Sequence, residues 1–127
     1  GVQSPIQATQ LAIVSRDSVE QARYNIAVVQ DEAGHREGLS AFAPLDPGQG
    51  LVLAWEVPQR ICIWNQPVSY AIDVAFLAAD RTVLAIEQFD AEESRSRCYD
   101  AVIEVLETRQ GQMANLAPGD FVQYNPL

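Results

Sequence analysis

Short apolar runs alternate with polar breaks along most of this chain. "LAIVS" (Leu11–Ser15) and "ARYNIAVVQ" (Ala22–Gln30) flank the polar hexapeptide "RDSVEQ", the pattern of two strands joined by a turn. In "DEAGHREGLSAF", Asp31 can cap a helix, acids fill the first turn and Gly38 can end it. A short helix is predicted over Asp31–Ser40. "APLDPGQG" (Ala43–Gly50) is a proline- and glycine-rich loop that continues neither helix nor central strand.

From there the pattern turns to β. "GLVLAWEV" is an apolar run that "PQ" breaks and "RICIW" resumes, and "NQPVS" reads as a turn. "YAIDVAFLA" and "TVLAIEQF" form a hairpin across "ADR", and "DAEESRSRCYD" reads as a solvated loop. The β-branched Val102, Ile103 and Val105 favour a strand for "AVIEVLE". "GQMANLAPGD" gives a helical turn and a Pro-Gly-Asp turn before a last strand, "FVQY". About eight short strands with one short helix predict a mainly β domain, compact and barrel-like or packed as two sheets, rather than a βαβ fold.

The 127 residues, 48% hydrophobic, suffice for one domain with a core. Residues 11–127 form that domain; "GVQSPIQATQ" (1–10) reads as a flexible leader or a non-native remnant, a start that a cleaved export signal would explain. No apolar run is long enough to span a bilayer as a helix, so membrane insertion is not expected.

Charge narrows the chemistry. Seventeen acidic against eight basic residues give a formal net charge of −9, and every basic residue is arginine. No basic patch exists to release counterions from a phosphate backbone, so nucleic acid is not an expected partner. Without lysine there is no Schiff base, P-loop lysine or Ser-Lys dyad. The single histidine, His35, lies in a polar stretch and reads as a solvated surface residue; it rules out a multi-histidine metal site, and no metal or cofactor is expected. Cys62 and Cys98 form no C-x-x-C motif; in an exported protein they could pair.

The order "EGL" (Glu37–Leu39), "GLVL" (Gly50–Leu53), Trp64 with "ID" at Ile72–Asp73, "VLE…G" (Val105–Gly111) and "PGD" (Pro118–Asp120) resembles the DUF192 family over about residues 22–122. The resemblance implies a small, often exported, β-rich bacterial or archaeal domain; the family has no established biochemical activity. Its pattern places Met-Lys-Asn-Thr after the tryptophan, where this chain has Asn65, Gln66, Pro67 and Val68. Ser40 stands for a methionine and Phe42 for a common arginine.

The candidate site residues are Trp64, Gln66, Asp73, Glu107 and Asp120. Alternation along the strand puts Tyr70, Ile72, Val74 and Phe76 on the core face and Asp73, Ala75 and Leu77 on the other. Asp73 is expected to accept backbone N–H bonds from the "NQPVS" turn or to pair with an arginine such as Arg60; otherwise it lines a cleft walled by Trp64. Trp64 itself shares a face with Cys62 and reads as core. Glu107 is expected to cap the following turn and Asp120 to bond amides within its own. The function expected is a non-enzymatic binding or accessory domain of the cell envelope, periplasmic or extracellular, with a shallow cleft near Trp64 that takes a small molecule or envelope component. The alternative is a hydrolase acting on sugars or cell-wall material through two of the acids Asp73, Glu107 and Asp120.

Overall fold

A computed structural model describes residues 3–127. Strand β1 (Gln10–Arg16) turns into β2 (Val19–Val29) through Asp17 and Ser18, both with positive φ, as a two-residue hairpin turn demands. Asp31 then caps helix α1 (Glu32–Glu37), its side chain accepting the Gly34 N–H at 3.0 Å. A 3-10 turn (Gly38–Ala41) and the Pro/Gly loop lead into β3 (Gln49–Ile63). Strands β4 (Ile72–Leu77), β5 (Val83–Phe89), β6 (Arg97–Arg109) and β7 (Phe121–Pro126) follow.

These seven strands make one sheet in the order β5-β4-β6-β3-β2-β1-β7, antiparallel except for β2 and β3. That parallel pair was not expected from the sequence. It follows from the crossover through α1, because parallel strands need a long connection. The two edge strands touch at one end, where Thr82 bridges Phe121 and the Val83 N–H donates to the Asp120 carbonyl at 2.8 Å. The sheet is not closed into a barrel, and it is one sheet rather than two.

Three local expectations need correction. "PQ" does not divide "GLVLAWEV" from "RICIW": β3 runs through, and its pairing with β6 slips between Ala54 and Gln59, so Pro58 sits where no ladder N–H is required. Part of the expected solvated loop, Arg97–Asp100, is the start of β6. Residues 1 and 2 of the expected leader lie outside the described residues; of the rest, Gln10 already belongs to β1, Ile6 is buried and the Thr9 N–H donates to the Ile26 carbonyl at 2.9 Å, while most of residues 3–9 are exposed.

Both faces of the sheet are covered. Leu51, Leu53, Ile72, Val74, Phe76 and Val105 pack on the side that carries Leu39 of the 3-10 turn. Ala12, Ile26, Val52, Ala75, Leu77 and Leu106 pack on the other. Every residue of β4 is therefore buried, and the face of Asp73, Ala75 and Leu77 is a second core rather than an outer surface. A run without polar alternation is the mark of a strand buried on both sides.

Cys62 and Cys98 stand directly opposite each other on β3 and β6 and are disulfide-bonded. The crosslink closes a loop of sequence separation 36 and restrains the ladder just before Trp64. Replacing both cysteines by serine should lower unfolding free energy by about 3–4 kcal/mol, the chain-entropy value for such a loop. Urea denaturation of the double variant against the oxidised protein measures it.

Candidate functional site

Strand β6 pairs with β3 on one side and β4 on the other, which puts Glu107 between Leu51 and Val74 and on their face. That face is core, and Glu107 is only 4% exposed. Among the described residues no hydrogen bond or ion pair reaches its carboxyl group. Burial alone pushes the group up to about 8. Gly38, at the end of α1, lies over it: a Cβ there would stand 3.7 Å from Glu107 Oε1. Glu107 does not cap the turn after β6, as the sequence had suggested.

The carboxyl group borders a cleft of about 210 Å3 between α1 and the neighbouring strand ends. Leu39, Leu53, Ile63 and Val68 supply its apolar lining, and Trp64 forms a wall at its mouth. Trp64 is 50% exposed, so it is a surface aromatic and not core. The reason is local. Strand β3 ends at Ile63, and Pro67 helps turn the chain away before the tryptophan can be covered. Asn65 holds that turn: its Nδ2 donates to the carbonyls of Tyr70 (3.0 Å) and Asp90 (2.9 Å), and its backbone N–H donates to the Glu93 carbonyl at 3.1 Å. Its Oδ1 is buried without a partner among the described residues.

From α1, His35, Arg36 and Glu37 reach the rim. His35 is half-buried rather than solvated. It stacks on Trp55 at 4.2 Å between ring centres, and its Nε2 lies 2.7 Å from the Ala54 carbonyl. A carbonyl only accepts, so that nitrogen carries the proton. Arg36 pairs with Glu32 at 3.6 Å, an exposed ion pair one helical turn away.

The other predicted site residues lie elsewhere. Asp73, 2% exposed, points into the second core, where its Oδ2 accepts the N–H groups of Gly111 (2.9 Å) and Met113 (3.2 Å). The amides come from the turn after β6 and not from "NQPVS", and Arg60 pairs with Asp100 instead. Asp120 accepts the Ala117 N–H at 2.8 Å and is clamped by Arg16 through Nε (2.8 Å) and Nη2 (3.0 Å). The hydrogen bonds from Arg16 hold its carboxyl below the usual carboxylate range. Gln66 is exposed and is not part of the cleft lining. Of the five residues, Trp64 and Glu107 line this cleft. Asn65 and α1, which the sequence did not single out as site elements, complete the cleft. No group of three metal-ligating side chains occurs among the described residues, and no helix among them is long and apolar enough to cross a membrane.

Two substitutions separate the acids. A carboxyl group whose pKa rises on folding contributes stability that is fully present below about pH 4.5 and lost as pH climbs towards 8. Glu107→Gln should match the wild type near pH 4 and exceed it progressively up to pH 8, by at most about 1.4 kcal/mol per pH unit. Denaturation midpoints of the two proteins across that range test it. Asp73→Ala leaves the Gly111 and Met113 amides without their carboxylate and should cost about 2–3 kcal/mol in the same measurement at neutral pH.

The fold is shared with two crystal structures. A protein of unknown function from Novosphingobium aromaticivorans superposes with a TM-score of 0.81 at 20% identity, covering 89% of this chain and 83% of its own. One from Sinorhizobium meliloti, carrying a provisional label as a transcription regulator, gives 0.85 at 17% identity, covering 95% and 98%. No curated protein sequence matches the chain. The sequence profile of DUF192, a family described as "Uncharacterized ACR", matches residues 13–124. With nearly the whole domain inside that match, the chain belongs to the DUF192 family.

Proposed function

We propose that this protein is a binding domain, without catalytic activity of its own, whose ligand enters the cleft between α1 and the end of β3. The observation that carries the reading is Glu107: a buried carboxyl group with no partner among the described residues, beside a cleft with an apolar interior and a polar rim. Burying an ionisable group unpaired is costly, and a fold tolerates it most readily where a ligand completes the pairing. Trp64 adds an exposed aromatic wall of the kind that anchors ligands. At about 210 Å3 the cleft is smaller than a drug-sized pocket, which favours a small molecule or the end of a chain.

The hydrolase alternative needs two acids across one cleft. Of the three acids expected to supply them, Asp73 and Asp120 are engaged with backbone amides and Arg16, which leaves Glu107 as the buried acid of this cleft, with the exposed Glu37 at its rim. The Cys62–Cys98 disulfide supports placing the protein in an oxidising compartment, as an envelope or extracellular domain. A chain of net charge −9 is poorly suited to DNA.

A thermal-shift screen against envelope sugars, short peptides, amines and carboxylates tests the reading. A ligand of the cleft should raise the melting temperature of the wild type and lose that effect in Trp64→Ala, whose own melting temperature should stay close to the wild type. Stabilisation by a ligand that survives Trp64→Ala would place binding elsewhere.

A further inference from the structure

The carboxyl group of Glu107 borders the cleft with no hydrogen-bond or ion-pair partner among the described residues. Asn65 Oδ1 also lacks a partner among them, but Asn65 has no exposed surface, which keeps that oxygen out of a ligand's reach. A ligand that satisfies Glu107 must donate. We infer that the cleft takes a small aliphatic amine in its ammonium form, its head paired with the Glu107 carboxylate and its alkyl part against Leu53, Ile63, Val68 and Trp64.

The other ligand classes fit less well. A carboxylic acid would bring a second acid to a chain of net charge −9. The cation among the lining residues, Arg36, is a highly exposed side chain already paired with Glu32. A divalent metal ion needs several oxygen ligands, and no cluster of three exists among the described residues. An ammonium ion can be held by a single carboxylate, and an aromatic face such as that of Trp64 adds to its hold.

Binding of this kind moves a proton. The unoccupied Glu107 is held mostly protonated at pH 7 by burial. Pairing requires the carboxylate, so the carboxylic acid and the ammonium ion give an ion pair and release one proton to solvent. Other ionisable groups surround the site. Arg109, on the same strand, donates to the Leu45 carbonyl at 3.2 Å and lies over the Tyr70 ring. The Tyr70 hydroxyl accepts the Leu45 N–H at 3.3 Å, and His35, Arg36 and Glu37 stand at the rim. None of them is an ion-pair partner of Glu107.

The inference rests on the binding reading above, so the test compares three ligands of similar size: butylamine, butyramide and butyrate. Chemical shifts of the backbone amides around Gly38 and Ile63 should move with butylamine and stay put with the other two. Its dissociation constant should fall about eightfold between pH 6.5 and 7.5, because below about 8 nearly every bound ligand displaces one proton. Calorimetry in buffers of different ionisation enthalpy should count that proton. Glu107→Gln, which keeps the shape and removes the charge, should bind butylamine at least about tenfold more weakly and release no proton. Binding of butyramide or butyrate that Trp64→Ala abolishes would overturn the amine while sparing the cleft. Equal butylamine affinity in wild type and Glu107→Gln would overturn it as well. So would the absence of any shift with all three ligands, and the wider thermal screen then decides whether the cleft binds at all.

Discussion

Strand β6 has no solvent face along its central part: Glu104 through Thr108 are all buried, because β3 and β4 flank the strand and both faces of the sheet carry core. Every polar side chain placed there must find a partner inside the protein or face a cavity. Thr108 donates to the Arg109 carbonyl, and Glu104 lies 3.4 Å from Arg81 at the edge of the second core. Asp73 on β4, under the same constraint, holds two amides of the 110–113 turn, which the Tyr24 hydroxyl also ties down by donating to the Gln112 carbonyl at 2.6 Å. Glu107 has no such arrangement. One oxygen each of Asp73 and Glu104 also lacks a hydrogen bond, but both acids are engaged through the contacts above, whereas Glu107 has no partner among the described residues and stands beside the cleft.

The strands and the helix were readable because their signals are local. Asp31 caps α1 through its own turn, Gly38 ends the helix at positive φ, and the two polar residues between β1 and β2 take the positive φ angles of a hairpin. What could not be read depends on partners distant in sequence. The even and odd residues of "IDVAF" look like an inner and an outer face until α1, β1 and β7 are in place; then both are interior. Asp73 and Glu107 are alike on paper, single acids in apolar strands. Their fates differ because the turn at 110–113 reaches one and not the other. Trp64 looked like core because strand-borne aromatics usually are, but it lies one residue beyond the end of β3. The break at Pro58 misled for the opposite reason: a proline signals the end of a ladder only where its N–H is needed.

The departure from the family pattern after Trp64 acquires a physical meaning from this geometry. Gln66, where the pattern has lysine, is exposed and outside the cleft lining, so losing that charge leaves the buried end of the cleft as it is. Asn65 and Pro67 matter more. The asparagine fastens its turn to Tyr70, Asp90 and Glu93, and the proline forms part of the lining. A segment pinned at three backbone sites holds Trp64 against an opening that α1 closes from the other side and the Cys62–Cys98 bond steadies from below. The substitutions therefore reshape the wall and rim of the cleft while its buried acid, Glu107, on a strand that cannot move without disturbing both cores, stays in place. On this account the chemistry of the site is set by the sheet, and its selectivity by the turn that carries the tryptophan.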